Sequence, residues 1–207
     1  MAYVARFSRE IPGHLAVGKF NGDVDFLTLT RNPFSANFLD TYDAQGGDAT
    51  AAVTDMDFNY GNTKLVTCGT NDDDVIAIAG WATPGSRSTQ WREPDGGGND
   101  LLNCKWSKND DVVVSTQLNN IYIYSYPASG GVGGFTSRLS ASGTFTDLAV
   151  RPDTATPIKV LVSGGNNPQG SAYFFNSGGA QSSTPNIFSN TTPTAAINTA
   201  CYGGDSI

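Results

Sequence analysis

The sequence predicts an all-β protein in which one four-stranded antiparallel unit is repeated along the chain. Two observations support this: a weak internal repeat with a period of about 50 residues, and short apolar segments rich in β-branched and aromatic residues, separated by polar turns. No segment shows the apolar period of a helix together with helix caps. The 207-residue chain is long enough for one domain with its own core.

The first element of the repeat has a large apolar residue at its last position but one. Four copies span residues 2–8, 53–59, 101–107 and 145–151, and a fifth spans 197–203. Their anchor residues are Phe7, Phe58, Trp106, Val150 and Tyr202. In the second copy, apolar Met56 and Phe58 alternate with Asp55 and Asp57, as expected for a strand with one apolar face.

Three further elements follow the first in each unit. The second elements are predicted at 14–18, 64–69, 111–116 and 159–165, the third at 23–29, 74–80, 120–126 and 171–176, and the fourth at 37–42, 88–93, 135–140 and 186–190. Turns such as Asn21-Gly22 separate them, because Gly, Asn and Asp tolerate positive φ. The units are therefore predicted at residues 1–48, 49–99, 100–143 and 144–194, with the start of a fifth at 195–207.

Four-stranded units at this spacing are typical of a β-propeller. Segments 53–69, 101–116 and 145–165 resemble the first two strands of a WD40 blade. The Trp-Asp pair of that family would fall on Leu27-Thr28, Ile78-Ala79, Tyr124-Ser125 and Phe175-Asn176, and its Gly-His pair is also missing. The resemblance therefore implies a WD40-like propeller that lacks the hydrogen-bond network of the family.

The number of units predicts a partial ring. WD40 rings mostly hold more blades than the four, with the start of a fifth, that this sequence supplies. Three explanations stay open: a fragment of a longer protein, one half of a propeller completed by another chain, or a small four- or five-bladed ring. We favour the fragment, because the sequence stops within a repeat.

Charge and composition argue against several function classes. A net charge of −7 disfavours nucleic-acid binding through phosphates. No apolar run reaches the ~18 residues of a membrane span, and the first ten residues lack the apolar region of a signal peptide. Cys68, Cys104 and Cys201 are too far apart for a zinc site, and His14 is the single histidine. We expect buried reduced cysteines, no metal or cofactor, and a cytoplasmic location.

The leading functional hypothesis, implied by the WD40 resemblance, is a non-catalytic scaffold that binds other proteins within a multi-subunit assembly. Propellers present loops on rigid faces, so the partner-binding residues are predicted at the turn tips Asn21, Asp73, Asn119 and Asn167. Trp91 and Arg92 are added because Trp and Arg dominate many interfaces. The alternative for Trp91 is a place in the fourth strand of its unit.

An enzyme propeller, lactonase- or hydrolase-like, with a metal or ligand at the central channel is the alternative hypothesis. It draws on a polar position that recurs in the first element, at Asp55, Asn103, Asp147 and Asn198. We favour a structural role for these residues, because Asp and Asn often bond to nearby backbone. A second alternative is an extracellular structural protein, suggested by the abundance of Thr, Ser, Asn and Gly.

Overall fold

All regular structure in the described part of the chain is β-strand. The computed structural model describes residues 2–44, 51–70, 74–94, 100–109, 112–117, 120–125, 134–140, 145–151, 158–164, 170–175 and 186–188. No helix occurs among these residues. The proposed fifth unit, residues 195–207, lies outside them.

The strands form four separate sheets, which we call blades 1 to 4. Blade 1 contains β1 (Ala2–Phe7), β2 (His14–Lys19), β3 (Asp23–Arg31) and β4 (Phe34–Asp43). Blade 2 contains β5 (Val53–Phe58), β6 (Lys64–Gly69), β7 (Asp74–Ala79) and β8 (Ser88–Pro94). Blade 3 contains β9 (Asn103–Trp106), β10 (Val112–Gln117), β11 (Asn120–Ser125) and β12 (Gly134–Ser140). Blade 4 contains β13 (Phe145–Val150), β14 (Ile158–Gly164), β15 (Gly170–Phe175) and β16 (Asn186–Phe188).

Each blade is an antiparallel meander, in which every strand pairs with its neighbours in the chain. This confirms the predicted all-β fold with four-stranded antiparallel units. The first strands also contact one another in sequence: β1 packs on β5, β5 on β9, and β9 on β13. They therefore form the inner wall of the arrangement, as the innermost strands of a propeller do.

Irregularities in the strand pairing recur from blade to blade. A β-bulge interrupts the pairing of the first two strands between Ala2 and Val4, between Val53 and Asp55, and between Phe145 and Asp147. A bulge bends a strand and changes the direction of the side chains that follow it. The first strands of blades 1, 2 and 4 therefore share this bulge. In blades 2 and 4 the bulge lies directly before the recurring polar residue, which is Asp55 in blade 2 and Asp147 in blade 4.

The turn between β1 and β2 depends on a glycine. Gly13 has a φ of 79°, which favours residues without a Cβ. A Cβ at this position would collide with the carbonyl oxygen of Leu29, and the Leu29 amide donates a 2.7 Å hydrogen bond to the Gly13 carbonyl. Gly13 therefore allows the turn to lie directly against the end of β3.

The apolar core lies between the blades and not within them. One cluster joins blades 1 and 2 and includes Phe26, Phe58 and Trp81. A second joins blades 2 and 3 through Val66, Cys68, Cys104, Trp106, Tyr122 and Tyr124, and a third joins blades 3 and 4 through Ile121, Ile123, Phe145, Leu148, Val160 and Val162. Each sheet consequently depends on its neighbour for the burial of its apolar face.

Phe58 tests this dependence. Its side chain is 1% exposed, and its ring centroid lies 4.6 Å from that of Trp81. We expect Phe58→Ala to lower the free energy of unfolding by about 3–5 kcal/mol, because it leaves a cavity between blades 1 and 2. Urea denaturation measures the change. The matched control is Phe34→Ala, where the side chain is 76% exposed and we expect a change of at most about 0.5 kcal/mol. Equal losses would contradict the inter-blade core.

Candidate functional site

The junction of the three first strands β1, β5 and β9 contains two buried carboxylates. Asp55 and Asp57 lie on β5, with side chains 4% and 10% exposed. Cations from both neighbouring blades reach them. Arg6 of blade 1 is 2.6 Å from Asp55, Arg9 of blade 1 is 2.6 Å from Asp57, and Lys105 of blade 3 forms a short ion pair with Asp55.

The carboxylates also bond to the backbone of the next blade. The Asp55 Oδ2 atom accepts a hydrogen bond from the Cys104 amide at 3.2 Å, and Asp57 Oδ2 accepts one from the Trp106 amide at 3.0 Å. Cys104 and Trp106 lie on β9, the edge strand of blade 3. Buried backbone amides need a hydrogen-bond partner. Asp55 and Asp57, two residues apart on β5, provide one each for the amides of Cys104 and Trp106, which are two residues apart on β9.

Side chains of blade 1 also bond to the backbone of blade 2, but here the side chains are hydrogen-bond donors and the backbone groups are acceptors. The Arg6 Nε atom donates to the Met56 carbonyl at 3.1 Å, and Arg9 Nε donates to the Phe58 carbonyl at 2.8 Å. These carbonyls belong to β5, the edge strand of blade 2. The arginines therefore cover carbonyl groups of one sheet edge, and the aspartates cover amide groups of the next.

Burial changes the proton affinities of this cluster. Burial raises the pKa of Asp57, although Arg9 and Lys105 act in the opposite direction. For Lys105, burial alone would lower the pKa, but the charges of Asp55 and Asp57 raise it above its ordinary value. Lys105 therefore stays protonated at neutral pH and compensates the two carboxylates.

A second surface of interest is an apolar row across blade 1. Strand pairing places Phe7 opposite Leu15, Leu15 opposite Leu27, and Leu27 opposite Phe38. Paired residues of neighbouring strands point to the same face of a sheet. The opposite face of blade 1, which includes Ala16 and Phe26, is buried against blade 2.

The equivalent rows in blades 2 and 3 are buried. In blade 2 the row contains Phe58, Leu65 and Ile78, which all belong to the core shared with blade 1. In blade 3, Trp106 and Tyr124 belong to the core shared with blade 2. In blade 1, by contrast, Phe7 is 62% exposed and Phe38 is 60% exposed. The two ends of the row are thus open to solvent in blade 1, and Leu15 and Leu27 between them are half-buried.

A cleft of about 710 Å³ lies at one end of this row. Phe7, Pro12, Leu29, Arg31 and Phe34 are among the residues that line it. The sequence pattern predicts a site role for none of them. A signal was present in the sequence, because Phe7 occupies the anchor position of its unit.

The predicted turn-tip residues are only partly within the described structure. Asn21 is exposed in the turn between β2 and β3, and its Nδ2 atom donates to Asp23 at 2.7 Å. Asp73, Asn119 and Asn167 lie outside the described residues. Their partner-binding role, like that of Asn21, stays a prediction.

Trp91 and Arg92 lie on β8, the fourth strand of blade 2. Their backbones pair with Ala77 and Ile76 of β7, respectively. The structure therefore agrees with the alternative that placed Trp91 in a strand. Whether these two residues contact a partner stays a prediction.

The polar residues that recur in the first strands, Asp55, Asn103 and Asp147, have different bonding partners and do not form one site. Asp55 takes part in the inter-blade ion pairs described above. The Asn103 amide nitrogen donates to Thr116 within its own blade at 3.0 Å, and Asp147 accepts from the adjacent Leu148 amide at 2.8 Å. Asn198 lies outside the described residues. The three described residues bond to the protein itself, and the described part of the chain contains no group of three or more His, Cys, Asp and Glu that could hold a metal ion.

Sequence reasoning did not identify the cations Arg6, Arg9 and Lys105. Arg6 and Lys105 each precede an anchor aromatic directly, which was a usable signal. Their carboxylate partners lie about 50 residues away in the chain, so only the packing of the blades reveals the pairs.

Comparison with solved structures identifies the type of propeller. Sqt1 of Chaetomium thermophilum, solved bound to the N-terminus of the ribosomal protein L10, superposes with a TM-score of 0.69 at 16% identity, over 93% of this chain and 49% of that one. The β-propeller domain of Cps50 (Swd1) of Myceliophteria thermophila gives a TM-score of 0.65 at 11% identity, over 90% and 59%. The C-terminal WD40 domain of Sif2 gives 0.62 at 12% identity, over 89% and 47%.

This chain has the WD40 β-propeller fold. The sequence-based prediction of a WD40-like propeller is therefore confirmed. The chain spans about half the length of Sqt1 and of the Sif2 domain and 59% of the Cps50 domain. No family model and no curated protein matches the sequence. The described part of this WD40 propeller contains no helix that is long and apolar enough to cross a membrane.

Asp55 is the residue on which the junction of three blades depends. We expect Asp55→Ala to lower the free energy of unfolding by about 3–5 kcal/mol, because it leaves Lys105 and the Cys104 amide without their buried partner. The control is Asp25→Ala on β3, which removes a partly exposed ion pair with Lys19 and should cost about 0–1 kcal/mol. Urea unfolding of both variants compares them. A loss for Asp55→Ala no larger than that of the control would contradict the structural role.

The raised pKa of Asp57 predicts a pH dependence. Between its unfolded value of about 4 and its higher folded value, the folded protein binds more protons than the unfolded one. The contribution of Asp57 to stability therefore falls as the pH rises through this window. We expect the stability advantage of the wild type over Asp57→Asn to shrink over that rise. Denaturant unfolding at several pH values measures it. An advantage that grows with pH would mean that Arg9 and Lys105 outweigh burial.

Proposed function

We propose that this chain is a non-catalytic scaffold within a larger protein assembly, and that blade 1 is the surface on which a further propeller blade docks. The exposed row from Phe7 to Phe38 carries this proposal. A contiguous apolar face of this kind marks an interaction surface in a folded protein. The surrounding fold supports a rigid scaffold, because ion pairs and apolar cores lock successive blades together.

The repeat favours a blade as the occupant of this face. Blades 2 and 3 use the same row to pack on the preceding blade. The covering surfaces come from the second and third strands of that blade, for example Ala16 and Phe26 against Phe58. A further blade that presents small and aromatic residues on its second and third strands, as blade 1 presents Ala16 and Phe26, would cover the open row of blade 1. Such a blade belongs either to a longer form of this protein or to another chain that completes the ring.

Two lines of support bear on the scaffold role. The buried carboxylates of β5, Asp55 and Asp57, are engaged by cations and backbone amides, which suits structure better than catalysis. A solved propeller of the same fold, Sqt1, is bound to the N-terminus of a ribosomal protein. We propose by analogy that this chain also binds proteins, and that it does so in the cytoplasm.

Charge substitutions on the open row test the proposal. We expect the isolated 207-residue chain to associate through blade 1 as its concentration rises, because the apolar row lacks its cover. The double variant Phe7→Asp/Phe38→Asp should stay monomeric, since it places charge on the row without removing a buried contact. Sedimentation velocity over a concentration series measures the association.

Phe20→Asp is the matched control. Phe20 is 58% exposed, but it lies in the turn between β2 and β3 and outside the row. This variant should associate like the wild type. A wild-type chain that stays monomeric at every concentration would contradict the docking surface. Native mass spectrometry of the natural protein then distinguishes the sources of the missing blade, because a chain heavier than 21.7 kDa and a bound second chain give different masses.

A further inference from the structure

The cleft at the end of the blade 1 row lies between two turns of the same sheet, and we call it the blade 1 cleft. Pro12 lines it from the turn between β1 and β2, and Leu29, Arg31 and Phe34 line it from the hairpin of β3 and β4. Its volume of about 710 Å³ is in the range of sites that enclose a ligand. Among the described residues, Phe7 lines the cleft and also belongs to the open row.

Hydrogen bonds hold both walls of the blade 1 cleft in place. The Leu29 amide donates to the Gly13 carbonyl at 2.7 Å, which attaches the turn between β1 and β2 to β3. In the hairpin, the Thr30 hydroxyl donates to the Pro33 carbonyl at 3.2 Å and lies 2.6 Å from the Ser35 hydroxyl. Because the walls are ordered before a ligand arrives, binding costs little conformational entropy.

The lining of the cleft is mostly apolar and contains one cation. Phe7 and Phe34 are exposed, and Leu29 is half-buried between them. The Arg31 guanidinium makes no hydrogen bond, ion pair or ring contact with any described residue, and Glu10 of the adjoining turn does not pair with it. The cleft therefore combines an apolar surface with a single unpaired guanidinium, and it does not depend on a positively charged surrounding.

Blade 2 has an equivalent cleft, in which an aromatic residue of the chain covers the anchor. This cleft of about 410 Å³ lies between the β5–β6 turn and the β7–β8 turn, and Trp81 lines it. The Trp81 ring is buried with its centroid 4.6 Å from that of Phe58, and such aromatic pairs stabilise a contact beyond the area that they bury. Blade 1 covers the row of blade 2 and the cleft is still present, so docking of a blade does not close a cleft at this place.

Blade 1 lacks the equivalent aromatic residue. Counted from the paired residues of the second and third strands, Thr30 holds the position that Trp81 holds in blade 2. The Thr30 hydroxyl bonds within the hairpin, and Phe7 makes no ring contact with any described residue. The cleft of blade 1 is accordingly the larger of the two, and its anchor ring is open.

We infer that the blade 1 cleft binds a peptide segment of a partner protein, receiving one large aromatic side chain while a neighbouring carboxylate of the peptide pairs with Arg31. The aromatic side chain takes the place against the anchor that Trp81 has in blade 2. The planar guanidinium suits a carboxylate, which it binds through two parallel hydrogen bonds. The inference deepens the scaffold proposal and rests on it, since it names the kind of partner that this protein-binding propeller takes.

Fluorescence anisotropy with the 207-residue chain tests the inference. The probe is a fluorescein-labelled peptide of sequence Gly-Ser-Gly-Ser-Trp-Glu-Ser-Gly-Ser-Gly. We expect saturable binding, and a peptide with Ala in place of Trp should bind about tenfold more weakly, because it loses the aromatic contacts. Phe34→Ala should weaken binding of the Trp-Glu peptide about tenfold. This variant should fold like the wild type, because the Phe34 side chain is 76% exposed.

A charge exchange tests the role of Arg31. Arg31→Glu should weaken binding of the Trp-Glu peptide about fivefold. It should also strengthen binding of a Trp-Lys peptide of otherwise identical sequence, because the lysine pairs with the new carboxylate. Lys108→Glu is the matched control, since it makes the same charge change at an exposed position on blade 3 outside the cleft. It should bind both peptides within about twofold of the wild type.

Four results would overturn the inference. They are no binding of the Trp-Glu peptide, equal binding of the Ala peptide, an unchanged peptide preference in Arg31→Glu, and binding of N-acetyl-tryptophan as tight as that of the Trp-Glu peptide. The last result would assign the cleft to a small aromatic carboxylate and not to a protein segment.

Self-association separates this inference from the scaffold proposal. Phe34→Ala and Arg31→Glu leave the open row unchanged, so both variants should associate like the wild type in sedimentation velocity. If either variant stays monomeric, a second copy of the chain covers the cleft and the inference is wrong. Failure of peptide binding alone would leave the docking surface of the row standing, and failure of association alone would leave the cleft standing.

Discussion

The inner edges of the sheets are held together by side chains that bond to the backbone of the next blade. A first strand pairs on one side only, so its other edge presents amide and carbonyl groups without ladder partners. Arg6 and Arg9 donate to carbonyls of β5, and Asp55 and Asp57 accept from amides of β9. Asp55 and Asp57 lie two residues apart on one face of β5, so they match alternate amides of β9. Arg6 and Arg9 are three residues apart, and Arg9 reaches the Phe58 carbonyl from the turn that follows β1.

This arrangement replaces the hydrogen-bond network of typical WD40 repeats, which the sequence lacks. The ion pairs between blades depend on burial, and the apolar clusters between the blades provide that burial. Trp81 shows the connection: its ring packs on Phe58, and its indole nitrogen donates to the Asn62 carbonyl at 3.0 Å. Arg87 adds a further link between blades 1 and 2, because its guanidinium lies 3.9 Å from the centroid of the Phe26 ring and pairs with Asp40.

The proposed docking surface of blade 1 follows from the same construction. Each blade docks through a row that starts at its anchor residue, so the first described blade has such a row open to solvent. Residues that follow the anchors of three blades also meet, where Arg9 and Lys108 lie beside the Tyr60 ring.

The sequence by itself determined the repeat, the strand content and the propeller fold, because alternation and turn residues act over a few neighbouring positions. It also placed Phe7 at an anchor position and Asp55 at a recurring polar one. It could not pair Arg6 with Asp55 or bring Arg9 and Lys108 to Tyr60, since these contacts join residues of different blades. Only the tertiary structure decided them: the order and packing of the sheets set which distant side chains meet, and burial set how strongly they interact.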